Sequence, residues 1–241
     1  MIGSPLISLV SAPCYKSFAD VVASVACDFG HKDSTPLEFL HESVSSARVN
    51  ELRLRAFANL NSINWVDLLG DSLFGQICRL IGPDLLIQKK INLSVQMPHD
   101  QSSVLPGHSD CNSGDSPYQL NLWIPLTSAY GTNSMFIFDE ARSIDYYTRV
   151  KRNELYDPAI LDHDFVDVKA GEALIFPPTL YHGNVTNTTS ETRISLNVRC
   201  KSLFSPGSLS RSLDREIGAY YQVWSNSAHT QWASRVESLL C

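Results

Sequence analysis

The sequence predicts a mainly β domain, a barrel or sandwich, wrapped by helices at its N- and C-terminal ends. Three observations carry this. Between about residues 85 and 205, short stretches alternate polar and apolar residues, with Gly, Pro, Asn and Asp between them. Before residue 85 the apolar residues recur at helical spacing. After about residue 208 they do so again.

The elements follow in order. Phe18 to Phe29 has helical spacing, and Ser34-Thr35-Pro36 offers a capping residue with proline at the first turn. Ser45 to Leu60 and Trp65 to Ile81 continue the pattern until Gly82-Pro83 stops it. Leu85 to Met97 reads as one strand, with Ile87, Lys89, Ile91, Leu93 and Val95 opposite a polar face that includes Gln88, Lys90 and Asn92. Tyr118 to Leu126 alternates again and puts Gln119, Asn121 and Trp123 on one face. Further strands are predicted at Ser134–Phe138, Phe165–Val168, Ala173–Pro177 and Arg193–Cys200. Arg142–Asp162, rich in charge and tyrosine, is a helical insert or a loop. Ser208 to Cys241 reads as helical, ending in an amphipathic helix that offers a face for a homodimer contact. The expectation is one domain over residues 1–241: a helical N-terminal segment over residues 1–84, a β core over 85–205 and C-terminal helices over 206–241.

Composition excludes several classes. The 44% hydrophobic and 18% charged content is that of a folded globular chain. A net charge of −6 without a basic stripe argues against nucleic acid as a partner. No apolar run reaches the roughly 18 residues of a membrane span. The apolar start, Met1 to Cys14, has a proline within it and no basic residue, so it does not read as a secretion signal. The six cysteines form no CxxC pair and read as reduced thiols, which implies a cytoplasmic protein.

The chemistry concentrates in Leu105-Pro-Gly-His108-Ser-Asp110. In extended backbone, residues i and i+2 project to the same side, so an imidazole and a carboxylate face one centre. Gly107 lets the chain bend there. A third ligand is offered by His182, which follows an apolar strand and precedes Gly183-Asn184. Two histidines and one carboxylate on one face of a metal leave other positions open, the pattern of non-haem iron(II) sites. Arg193 to Arg199 then alternates, with Arg193, Ser195, Asn197 and Arg199 on one face and Ile194, Leu196 and Val198 on the other. Arginine pairs strongly with carboxylates, so this polar face suits an anionic ligand, with a structural salt bridge as the plainer reading of Arg193.

His108-x-Asp110, His182 and Arg193-x-Ser195, taken together, resemble the iron(II)- and 2-oxoglutarate-dependent oxygenase superfamily. Gly-His-Ser-Asp, Leu-Asn-Leu-Trp-Ile-Pro-Leu, Lys-Ala-Gly-Glu-Ala-Leu-Ile-Phe and His-Gly-Asn are similar to small bacterial members of carbohydrate and aminoglycoside clusters, and distantly to phytanoyl-CoA dioxygenases. The resemblance covers about residues 85–205 and implies a double-stranded β-helix, the jelly-roll or cupin-like fold. It implies Fe(II) held by His108, Asp110 and His182, with 2-oxoglutarate and O2 as cosubstrates. Arg193 and Ser195 would hold the distal carboxylate of 2-oxoglutarate, with Asn121 beside the cosubstrate.

Arg199 lies some 20 Å along the strand from Arg193, six residues at ~3.3 Å each. It is assigned to the substrate or to structure, and a swap of roles with Arg193 stays open. Trp123 is divided between packing and substrate contact. Gln88, Lys90 and Asn92 are divided between the pocket and water. Hydroxylation of a small polar metabolite, a sugar, amino acid or related intermediate, is the implied reaction. Halogenation is disfavoured because Asp110 is present. The competing readings are a protein- or peptide-modifying oxygenase and a non-catalytic, cupin-like metal-binding protein.

Overall fold

The computed structural model describes residues 5–206 and 217–240. In chain order its regular elements are β1 (Ser8–Ser11), α1 (Tyr15–Cys27), α2 (Ser46–Leu60), α3 (Trp65–Ile81), β2 (Leu85–Gln88) and β3 (Asn92–Gln96). There follow β4 (Gln119–Pro125), β5 (Met135–Ile137), α4 (Glu140–Lys151), β6 (Glu172–Phe176), β7 (His182–Asn184), β8 (Arg193–Ser202), β9 (Tyr221–Ser225) and α5 (Ala228–Leu240).

Each long helix buries one stripe. In α3 this is Trp65, Leu69, Leu73 and Ile77, four residues apart, and in α2 it is Val49, Leu52, Ala56 and Leu60. The helix α3 ends where Gly82 takes a positive φ of 85°.

The strands form two antiparallel sheets. The larger runs β1-β6-β4-β8-β2-β9, with β3 also paired to β8, and the smaller joins β5 to β7. The long strand β8 organises the larger sheet. Its residues Ile194, Leu196, Val198 and Cys200 are buried in the main core with α1, α2 and α3. A second cluster, including Trp123, Met135, Ile137, Leu174 and Phe176, draws residues from both sheets. The protein is thus mainly β with flanking helices, as expected. Among the described residues, no helix is long and apolar enough to cross a membrane.

Several elements differ from the sequence reading. The strand predicted over Leu85–Met97 is two strands, broken at the exposed Lys89 and Lys90, where the Lys89 ammonium donates to the Gly218 carbonyl. Side chains seal the break: Asn61 hydrogen-bonds both the N–H and the C=O of Ile91 (2.8 and 3.0 Å), and the Gln88 amide donates to the carbonyls of Lys90 and Asn197. Phe165–Val168 is no strand; it contributes only isolated bridges, Phe165 to Phe136 and Val168 to Ala129. The Ser34–Pro36 start leads into a short 3-10 helix over Leu37–Glu42.

Strand pairing also reaches beyond residues 85–205. β1 pairs with β6 from within the helical N-terminal segment, and β9, in a stretch read as helical, pairs with β2. Residues 207–216 of that stretch lie outside the described residues. The Arg142–Asp162 insert contains α4, begun by the Asp139 side chain accepting from the Arg142 N–H at 2.8 Å.

Candidate metal centre

The two histidines are brought together by backbone. His108 and His182 form an isolated antiparallel bridge, with both N–H···O bonds made (2.8 and 2.9 Å) and the rings 4.5 Å apart. Space at this bridge is made by glycine. A Cβ on Gly107 would lie 2.3 Å from the Tyr181 hydroxyl, and one on Gly183 would lie 2.9 Å from the Leu105 carbonyl oxygen. The sequence reading assigned Gly107 the task of bending the chain; close packing against Tyr181 is the observed requirement.

Ring orientation is set by the same device twice. His108 Nδ1 faces the Pro106 carbonyl at 2.9 Å, and His182 Nδ1 faces the Leu180 carbonyl at 2.8 Å. A carbonyl only accepts, so each Nδ1 carries the proton and Nε2 is the atom turned toward Asp110. His108 Nε2 lies 3.3 Å from Asp110 Oδ1, and His182 Nε2 lies 4.0 Å from Asp110 Oδ2. The three side chains offer ligand atoms within 4.8 Å of one another.

Asp110 does not continue an extended strand. It opens a 3-10 turn, Asp110–Ser113, capped by Ser109. Its Oδ2 accepts from Asn121 Nδ2 at 2.7 Å and sits 3.3 Å from Arg199 Nη2.

Electrostatics match this donor set. Burial opposes ionisation of Asp110, but His108, Arg199, His182 and Asn121 outweigh it and hold the carboxyl far below its usual range. Burial pushes His182 down to about 4, so its imidazole is neutral at physiological pH. For His108 burial acts downward too, yet the Asp110 carboxylate and the Pro106 carbonyl raise it. An ionised carboxylate with two oriented imidazoles fits a divalent first-row metal.

The other end of the same cavity, about 230 Å³, holds Arg193. Its guanidinium is buried and spends its donors on neutral groups only. These are Ser195 Oγ (2.7 Å), Gln96 Oε1 (2.8 Å), Ser94 Oγ (3.0 Å) and the Asn133 carbonyl (3.1 Å). Among the described residues no carboxylate pairs with it, and burial lowers its pKa to about 10, which leaves it charged at neutral pH. The salt-bridge reading of Arg193 thus finds no acid there. Trp123 lines the cavity and donates from Nε1 to Ser195 Oγ at 3.1 Å.

Other expected residues are placed differently. Arg199 lines the cavity, but its guanidinium is held between Asp110 and the buried Asp115, with Nε 3.0 Å from Asp115 Oδ2. Gln88 is buried behind the wall, accepting from the Arg199 N–H at 3.0 Å and the Tyr220 hydroxyl at 3.2 Å. Lys90 and Asn92 are exposed and outside the wall, because the break after Gln88 turns that stretch toward solvent.

Sequence reasoning missed Ser94 and Gln96, although both lie on the polar face of the predicted strand. What brings them to Arg193 is register: Ser94 pairs with Ser195 and Gln96 with Arg193. It also missed the clamp from α4, where the Tyr147 hydroxyl bonds Ser109 and the Tyr146 hydroxyl bonds Asn112, on the turn that carries Asp110.

No known protein-family profile matches the chain. The streptomycin biosynthesis protein StrG of Streptomyces griseus is 27% identical over 166 residues, spanning 66% of this chain and 71% of StrG. Among solved structures, the non-haem monooxygenase ThoJ matches with a TM-score of 0.55 at 17% identity, covering 92% of this chain and 81% of ThoJ. HygX of Streptomyces hygroscopicus, solved with nickel and 2-oxoglutarate bound, matches at 0.52 and 15%, covering 92% and 95%. The chain therefore shares its fold with a non-haem monooxygenase and with HygX, which was solved with nickel and 2-oxoglutarate.

Proposed function

We propose that this chain is an Fe(II)- and 2-oxoglutarate-dependent oxygenase that hydroxylates a C–H bond of a small polar biosynthetic intermediate. The strands belong, in this reading, to one double-stranded β-helix domain. The observation that carries it is Arg193, a buried guanidinium without a counter-charge among the described residues, in one cavity with His108, Asp110 and His182. Burying an uncompensated charge costs several kcal/mol. A dianionic cosubstrate reaching from the metal ligands to Arg193 offsets that cost.

Iron(II) bound here would supply, with 2-oxoglutarate and O2, the oxidising power for C–H cleavage, one oxygen atom going to the product and the other to succinate as CO2 leaves. The protein's role is placement. His108 and His182 present Nε2, Asp110 presents Oδ1 while Asn121 and Arg199 occupy Oδ2, and Ser195 aligns Arg193 through its hydroxyl. Nickel(II) with 2-oxoglutarate in HygX supports the same pair of ligands here.

The test combines labelled 2-oxoglutarate turnover with anaerobic absorption spectroscopy. Fe(II) plus 2-oxoglutarate should give a metal-to-ligand band and slow succinate release. A protein that shows neither is not this kind of oxygenase. Asp110→Ala should abolish tight metal binding. Arg193→Lys should keep metal binding but weaken 2-oxoglutarate by roughly 10- to 100-fold, the loss of one or two charge-assisted hydrogen bonds.

A further inference from the structure

A second cavity, of about 510 Å³, adjoins the metal cavity and shares Ser94 and Ser103 with it as a common wall. We propose that this outer cavity binds the substrate, and that the substrate is a hydroxyl-rich small molecule carrying a phosphate or carboxylate group that Arg53 recognises. This assignment rests on the oxygenase reading.

Size is the first argument. Ligand pockets typically enclose ~300–1,000 Å³. The metal cavity, at about 230 Å³, falls below that range and suits the cosubstrate, whereas 510 Å³ falls within it. The body of a substrate therefore finds its room on the outer side, with its reacting carbon directed past Ser103, whose carbonyl accepts at 3.2 Å from Asn184, two residues after His182.

The lining supplies the second. Ser46, Asn50 and Arg53 come from one face of α2, Ser102 and Ser103 from the chain after β3, and Ser94 from β3 itself. Four hydroxyls and an amide suit the donors and acceptors of a polyol. Ser94 Oγ already accepts from Arg193 Nη1 at 3.0 Å, which leaves its own hydrogen to donate. Ser103 Oγ is buried and, among the described residues, has no hydrogen-bond partner. Val49 and Val95 add apolar surface for the C–H face of a ring.

Charge is the third. Three arginines lie on α2. Arg48 reaches Glu51 at 3.8 Å, and Arg55 reaches Asp28 at 3.3 Å and Glu51 at 3.7 Å. Of the three, Arg53 lines the cavity. Its Nε and Nη2 hold only the neutral Asn50 Oδ1, at 3.2 and 2.8 Å, and among the described residues no carboxylate pairs with it. A guanidinium steadied by a neighbouring amide, in a cavity of hydroxyls, is built for a planar or tetrahedral oxyanion.

Calorimetric titration of the full chain, with nickel(II) and 2-oxoglutarate present, tests the assignment using glucose 6-phosphate, glucuronate and glucose as probes. At least one anionic sugar should bind about tenfold tighter than glucose, the worth of one charge-assisted contact. The arm that wins tells phosphate from carboxylate. Arg53→Gln should remove the preference and Arg53→Lys should keep some of it. Anionic sugars that bind no tighter than glucose, or a preference that survives Arg53→Gln, overturn the assignment. Affinity for 2-oxoglutarate, measured separately on the wild type and on Arg53→Gln, tells the two claims apart. If 2-oxoglutarate binds but no anion preference appears, the substrate assignment alone fails. If 2-oxoglutarate does not bind at all, the oxygenase reading itself fails.

Discussion

Asp110 has two oxygens and the site uses them differently. Oδ1 lies beside His108, while Oδ2 is held by Asn121 at 2.7 Å and faced by Arg199 at 3.3 Å. A carboxylate pinned at one oxygen has its other oxygen aimed, so Asn121 acts on the metal through Asp110. Outer partners of metal ligands typically contribute 10- to 100-fold in affinity. Asn121→Ala should therefore weaken nickel(II) binding by about that range, with a loss of about 1–3 kcal/mol in stability from the buried hydrogen bond it removes. Competition with a chromophoric chelator reads the affinity. Unchanged binding would mean that Asn121 merely fills space.

At the scale of elements, the metal cluster hangs on a crossing of two chain segments rather than on a long strand. The bridge between His108 and His182 works only if Gly107 and Gly183 let the segments and the Tyr181 ring approach. Gly107→Ala puts a methyl group where the Tyr181 ring already is. Overpacking of this kind costs roughly 1–3 kcal/mol. The expected outcome is a lower unfolding midpoint together with weaker nickel(II) binding, since displacing residue 107 displaces His108. A variant that loses stability but binds metal as the wild type does would show that the Tyr181 contact is only packing. The helix α4 bears on the same bridge through Tyr146 and Tyr147, so the insert buttresses the turn that carries Asp110.

At the scale of the whole molecule, the largest core joins the first three helices to one face of the sheet, while the opposite face of β8 carries the polar row from Arg193 to Arg199. Leu73 is fully buried in that core and remote from the cavity. Leu73→Ala should cost about 2–5 kcal/mol in urea unfolding, through lost contacts and the void left behind. The same variant, while folded, should bind 2-oxoglutarate as the wild type does. Impaired binding in the folded state would instead couple the helical layer to the cavity.

Local patterns determined much of this. Period-two alternation separated the core face of β8 from its polar face, helical spacing placed α1 to α3 and α5, and side-chain chemistry singled out His108, Asp110, His182 and Arg193. Alternation reports only whether a face is buried, however, and not which strand lies beside it. The pairing of Ser94 with Ser195 and Gln96 with Arg193, the recruitment of β1 and β9, and the break at Lys89 and Lys90 were settled by hydrogen bonds between residues far apart in sequence. The same holds for charge. Arg199 and Arg193 look alike on one strand face. Only the tertiary structure sets Arg199 against Asp110 and Asp115 and leaves Arg193 among neutral groups, because what an arginine does depends on which carboxylates the fold brings within reach.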